Sequence, residues 1–263
     1  MASGKKQPLI VSGGHRALLP LQLQDVPYPI VRQVETVLFE GPLDETSMQT
    51  VVQAGLQGHD TCLLHQLDPP MLESIARALG MFRQEARLLR ALQWEPSVPR
   101  TVETLIQGMR PWMAFFTIYT RFAEQQGWRH SVDMEAYRLA RKMKKTIAFL
   151  ETIDEQIEVL DSLSLAQILD FLGRIDRWKT YMDNIVTWYS TGDLEQIASN
   201  PYGFPTRNAY VIDRRDEIMY KRMLPYLERG KAAVFVGSPH LVGIHRLLRA
   251  GGYEVRAAAD SLR

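Results

Sequence analysis

The chain has 263 residues, 46% hydrophobic and 23% charged, with a formal net charge of +1. A balance this near neutral gives no electrostatic reason to expect nucleic acid or an anionic membrane as partner. The lone cysteine, Cys62, excludes an intrachain disulfide and a multi-cysteine metal site, and suits a reducing compartment.

At the amino end, the apolar stretch after Lys5 and Lys6 is broken by Gly13, Gly14, His15 and Arg16, too short and polar for a secretion signal. "PLIVS" reads as a strand, "YPIVRQVE" as a short helix, and "TVLFE" as a second strand stopped by Gly41-Pro42. From about residue 68 to 128 the pattern is helical. "PPMLESIARALGMF" opens on prolines and spaces Leu72, Ile75 and Leu79 at three and four. Val102, Leu105, Ile106 and Met109 repeat the pattern, and Pro111 is expected to break or kink it. "PWMAFFTIYT" is about half the ~20 residues of a membrane span. It reads as core or as a face for a homodimer. The expectation is a soluble, cytoplasmic protein with no membrane partner.

Val132, Ala136, Leu139, Ala140 and Met143 line one face of the next helix, and "TIAFL" follows as a buried strand. Thr152 and Glu155 form a capping box for another helix, and helices continue to about Ser199. After "NPYGFP", a helix from about Asn208 to Glu228 leads into the strand "AAVFV". "YEVRA" is the last strand expected. The plan is α/β: one domain over 1–263, with a small, mainly parallel sheet built from both chain ends plus the mid-chain strand. Its core comprises about 7–60, 146–165 and 206–258, with a large helical insertion at about 68–145 and 163–200.

Four of these runs deliver a histidine or glutamate at or just past their carboxyl ends: His15, Glu40, Glu151 and His240. In a parallel sheet these side chains converge on one rim, where open α/β sheets place ligands. Two imidazoles with one or two carboxylates suit a divalent ion, zinc or manganese. Such an ion acidifies a bound water, and a glutamate outside the ligand set serves as general base. His240 falls in the stretch "VFVGSPHLVGIHRLLRAGGYEV". Ser238 is the expected cap there, Pro239 the first helical residue, and the helix start favours a neutral imidazole. Each residue also has a plainer reading. A strand-end histidine caps or bonds backbone, Glu40 is a turn residue, and Glu151 serves the dipole of the helix after it.

Arg215 lies four residues from both Val211 and Met219, on an otherwise apolar helix face. It reads either as a stabiliser of developing negative charge or as a structural salt bridge. Asp133 near a helix start reads first as dipole stabilisation, and Gln156 as support. "RLARKMKK" reads as a solvated helix end. Cys62, His59, His65, His130 and His245 show no partner spacing, and no phosphate-binding glycine loop occurs.

The chain resembles the TraB/PrgY/GumN family, to which the Tiki proteases belong, over nearly its whole length. Gly237 and His240 stand at the family's G-x-x-H positions, followed by an "HL-x-G" helix ending in "GY-x-V". Asp133, Ala140, Lys145, Glu151, Thr152 and Gln156 match its "G-x-D … A-x-x-x-x-K … LET-x-x-E-Q" segment, and "WYSTGD" and "RDEIM" match two further features. The resemblance implies a fold shared with erythromycin esterases and haem-binding ChaN proteins. In the best-understood branch it implies a metal-dependent hydrolase of peptides or proteins, supported by manganese or cobalt, with two G-x-x-H motifs and a Glu building the site. Here Ser12 replaces the first motif's glycine, Asp216 stands where Asn is usual, and Val242 where Pro is usual. The leading expectation is a hydrolase of peptide or amide bonds, with metal on His15, Glu40 and His240, Glu151 as fourth ligand or base, and Arg215 steadying negative charge. Gly237, Asp133 and Gln156 would support it. The alternatives are a ligand- or haem-binding module without turnover, and an interaction or inhibitory protein acting through its helical middle.

Overall fold

In the computed structural model, which describes residues 9–12, 27–56, 62–81, 99–207 and 209–255, four short strands form one parallel sheet. They are β1 (Leu9–Ser12), β2 (Thr36–Phe39), β3 (Thr146–Phe149) and β4 (Ala232–Val236), in the order β1-β4-β2-β3. Leu9 pairs with Ala233, Thr36 with Ala232, and Thr36 with Thr146. The chain is thus mixed α/β, mostly helical, with the expected small parallel sheet.

Alternation along β2 and β4 divides the core between the two faces of the sheet. Val37, Phe39, Ala233 and Phe235 point to one face. They pack there on helix α1 (Pro27–Gln33) and on a helix spanning Val132–Lys142, through Ile30, Val31, Ala136 and Tyr137. Leu38, Val234 and Val236 point to the other, beneath helices spanning Ala209–Arg229 and Leu241–Ala250. Met219, Met223, Ile244 and Leu248 close that side.

In chain order the helices between are α2 (Glu45–Gly55), α3 (Pro69–Ala78), α4 (Pro99–Ile106), α5 (Pro111–Gln125) and α6 (Val132–Lys142). Then follow α7 (Ile153–Asp161), α8 (Leu165–Leu172), α9 (Trp178–Thr191), α10 (Leu194–Ser199), α11 (Ala209–Arg229) and α12 (Leu241–Ala250). Asp44 caps α2 by accepting from the Ser47 amide. Pro111 breaks the helical run as expected, without kinking a helix: α4 ends at Ile106, and Pro111 starts α5, where a missing amide hydrogen is harmless. "PWMAFFTIYT" is core: Trp112, Ala114, Phe115 and Ile118 are buried, the last three in an aromatic-rich cluster with Phe171, Trp178 and Phe204. Among the described residues, no helix is long and apolar enough to cross a membrane.

Three expectations need correction. "TIAFL" is not a buried strand: β3 is the sheet's outer strand, half-exposed along its length, with Phe149 at 37%, and only Leu150 just beyond it is fully covered. "YEVRA" does not add a strand over Tyr253–Val255. β4 already has β1 and β2 on its two sides, so the chain leaving α12 finds no free edge beside it. The Tyr253 amide bonds back to the Leu248 carbonyl instead, while residues 256 and 257 lie outside the described residues. Ser238 caps nothing; it is buried within a 3-10 turn, Ser238–His240, closed by the His240 amide on the Gly237 carbonyl at 3.0 Å.

Candidate active site at the carboxyl rim of the sheet

Parallel strands end on the same edge, and three of them bring chemistry there. Hydrogen bonding runs one step past the strands: the Glu40 amide donates to the Phe235 carbonyl at 3.1 Å, and the Leu150 amide to the Phe39 carbonyl at 2.9 Å. Glu40, Leu150-Glu151 and Gly237 are thereby fixed side by side. The Gly237 amide donates to Glu40 Oε2 at 3.0 Å. A side chain at Gly237 would begin 3.2 Å from that oxygen, so glycine lets the carboxylate sit close.

Helix α11 supplies the counter-charge. Its Met219 and Met223 are buried on the sheet, and the same face carries Arg215 at one end. The guanidinium grips Glu151 with two parallel bonds, Nε to Oε1 and Nη2 to Oε2, both 2.7 Å, and its Nη2 also donates to Glu40 Oε1. The Arg215 and Glu151 side chains are 12% and 3% exposed, so the clamp is nearly dry. Seven residues on, Arg222 bonds both oxygens of Glu155 and the Leu150 carbonyl, tying the same helix to the capping box that starts α7. Burial alone would raise the Glu40 carboxyl, but Arg215, His240 and the Gly237 amide hold it down at about 2.

One residue after Arg215, Asp216 faces His240. Its Oδ1 lies 2.6 Å from His240 Nδ1, and both side chains are buried. A carboxyl on Nδ1 fixes the orientation of the ring and leaves Nε2 on its far side. That Nε2 lies 3.9 Å from Glu40 Oε1. Burial pushes the Asp216 carboxyl up against the opposing pull of His240. Room for Asp216 comes from Gly243 on α12, where a side-chain carbon would stand 1.7 Å from Asp216 Oδ2.

Asp133, second residue of α6, stands in that helix's first turn, and it also belongs to the rim. Its Oδ1 is buried with no hydrogen-bond partner. Burial, and then the neighbouring Glu40 charge, push its carboxyl up to about 7. Gln156 does not reach the charged groups. It lies across Gly41, where a side-chain carbon would stand 2.0 Å from Gln156 Nε2, and so braces the turn that carries Glu40.

The structure therefore brings together Glu40, Glu151, Arg215, Gly237 and His240, with Asp133 beside them. His15 lies outside the described residues. Sequence reasoning missed Asp216 as the partner of His240. Its one signal was a second charged residue adjoining an arginine on a half-buried helix.

The donor set can be tested against a divalent ion. His240 Nε2 and Glu40 Oε1, which also accepts from Arg215, are 3.9 Å apart, within the span of two ligand bonds of ~2.0–2.2 Å to one ion. Glu40 and Glu151 set two carboxylates against the single Arg215 guanidinium, while burial raises the carboxyls of Asp133 and Asp216. The fit is limited to two ligands: among the described residues, no three His, Cys, Asp or Glu side chains are grouped closely enough to hold an ion.

The sequence model of the TraB/PrgY/gumN family matches residues 18–257. No match was found among curated proteins or among solved structures.

Proposed function

The chain belongs to the TraB/PrgY/gumN family, and from that premise we propose that it is a metal-dependent hydrolase of peptide or amide bonds. The observation that carries the proposal is the buried Asp216–His240 pair, which holds the imidazole with Nε2 3.9 Å from Glu40 Oε1 at the rim. His240 and Glu40 would hold the ion, manganese, cobalt or zinc, with His15 as the expected third ligand. A bound ion of this kind polarises a carbonyl and makes water nucleophilic at neutral pH.

The remaining residues do the protein's own part. Asp216 fixes the ring orientation of His240. Arg215 presents positive charge beside Glu40, where negative charge would develop on an attacked carbonyl. Glu151, with both oxygens on Arg215, holds that guanidinium in plane. Service as ligand or base would require it to release this grip. Asp133 is the carboxyl suited to exchanging a proton at neutral pH. The substrate expected is a peptide or protein.

The test is metal analysis of protein prepared without chelator and supplied with manganese, cobalt or zinc, beside His240→Ala, followed by assay on a peptide library. Near-stoichiometric metal lost in the variant, with metal-dependent cleavage, is the expected result. Absence of both metal and cleavage overturns the reading. One observation favours a binding module without turnover: Arg215 already engages Glu40 and Glu151 together. Tight haem uptake with a Soret band and no hydrolysis would identify that state.

A further inference from the structure

The outer strand of the sheet, β3, carries backbone groups that no other strand takes up. In a parallel pair each strand turns alternate residues toward its neighbour. The Thr146 amide donates to the Glu35 carbonyl at 3.1 Å and the Leu150 amide to the Phe39 carbonyl at 2.9 Å, so this alternate set faces β2. The amides and carbonyls of Ile147 and Phe149 therefore face away from the sheet, and among the described residues no backbone group pairs with them. Natural sheet edges are blunted by charge, proline or a covering element. "TIAF" contains no charged residue and no proline, and Thr146 and Phe149 are exposed. The start of the edge is basic: Lys142 and Lys144, both exposed, lie just before Thr146.

These features decide the kind of occupant. Donors and acceptors that recur at every second residue, about 6.6 Å apart, are matched by another extended backbone. A second copy of this chain is a poor fit, because a ladder of 4 residues falls far short of the roughly 1,000 Å² that a stable interface needs. A peptide needs less, since it makes further contacts where the edge ends. Beyond Phe149 the chain runs through Leu150 to Glu151, which Arg215 holds at the rim. A segment lying along β3 thus leaves the edge beside the groups assigned to hydrolysis. We propose that β3 is the docking strand for the substrate: an extended stretch of polypeptide next to the scissile bond adds to the sheet here, its backbone paired with Ile147 and Phe149. Alternate side chains rest on the Phe149 ring, and an acidic residue lies toward Lys142 and Lys144. The identity of the docked chain as substrate rests on the hydrolase reading; the docking itself does not.

The experiment titrates the full chain, without added metal, into a fluorescent, end-blocked peptide of alternating valine and threonine with one terminal glutamate, read by anisotropy. A dissociation constant on the order of 100 μM is expected. Methylating one alternate set of peptide amide nitrogens should weaken binding at least about tenfold, and methylating the other set less than about twofold, because only one set faces the edge. Of two peptides with the glutamate at opposite ends, one should bind about threefold better. Ile147→Pro removes an amide that bonds nothing in the sheet, a change edge strands tolerate, and Phe149→Lys puts a charge on the edge. Each should weaken binding at least about tenfold, with circular dichroism unchanged. With metal supplied, both variants should cleave a blocked dipeptide, too short to span the edge, at the wild-type rate. No saturable binding up to about 5 mM, equal effects of the two methylation patterns, or free-protein dimers that Phe149→Lys dissociates (a second copy as the occupant) would each overturn the proposal. Alternation-dependent binding with no cleavage of any substrate would sustain the docking strand and sink the hydrolase reading; metal-dependent cleavage with no such alternation would do the reverse.

Discussion

Replacing Arg215 with methionine tests the rim most directly. The guanidinium is the cation bound to Glu151, whose side chain is 3% exposed, and it also holds Glu40, at 28%. Removing one partner of a buried pair costs about 3–5 kcal/mol, since the stranded charge keeps its desolvation penalty. Methionine returns part of this by burying its own chain, about 1–2 kcal/mol, so a net loss near 2–4 kcal/mol is expected at pH 7. The pH dependence gives an independent estimate. The Glu40 carboxyl is held at about 2 against an ordinary 4.5, which corresponds to about 3 kcal/mol at most. A depressed carboxyl stabilises the fold above its ordinary value and loses that contribution as pH falls toward 2. The variant lacks that contribution from Arg215, and acid also neutralises its stranded carboxylates. Its deficit should therefore shrink between pH 5 and 3. Urea unfolding followed through the five tryptophans at pH 7, 5 and 3.5 measures this. A deficit under about 1 kcal/mol at pH 7, or one that stays constant with pH, would refute the claim that the clamp is dry and charged.

Asp133→Asn should act in the opposite direction. The wild-type carboxyl is raised to about 7 from 3.8, so its ionisation opposes folding as pH climbs from 4 through 7. The variant should gain about 1–3 kcal/mol at pH 8 and almost nothing at pH 4, read as midpoints of thermal unfolding; equal gains at both pH values would contradict a buried acid. Gly243→Ala should destabilise although alanine favours a helix interior by about 1 kcal/mol. The added methyl would stand 1.7 Å from Asp216 Oδ2, and such overpacking costs about 1–3 kcal/mol. Loss of the His240 side-chain environment in NMR, absent from a Gly192→Ala control at the end of α9, would separate this clash from a backbone effect.

Local features were the legible part of the sequence. Thr152 and Glu155 form the complete capping box because four adjacent residues decide it. The strand ends of "TVLFE" and "AAVFV" placed Glu40 and His240 because apolar runs and their stops are short-range signals. Arg215 announced itself as a charge on an apolar face, although its grip on two glutamates 64 and 175 positions away did not. What stayed hidden depends on order and facing. Periodicity carries no strand order, so "TIAFL" could not be recognised as an outer strand. Asp216 directly follows Arg215 in the helix, and nothing local tells that the two turn toward different partners. Arg207, in an irregular loop, had no pattern to betray its burial.

Of the sheet's two inner strands, β4 is synthesised after every other described strand. Leu9 waits for Ala233, 224 positions later, and β2 has only β3 beside it until β4 arrives. At about 5–20 residues per second on the ribosome, the amino-terminal strand stays unpaired for on the order of ten seconds or more. The rim cannot close before the final helix is out. A growing polypeptide of this kind holds its two halves of chemistry apart until the end, so an incomplete product carries Glu40 and Glu151 without His240.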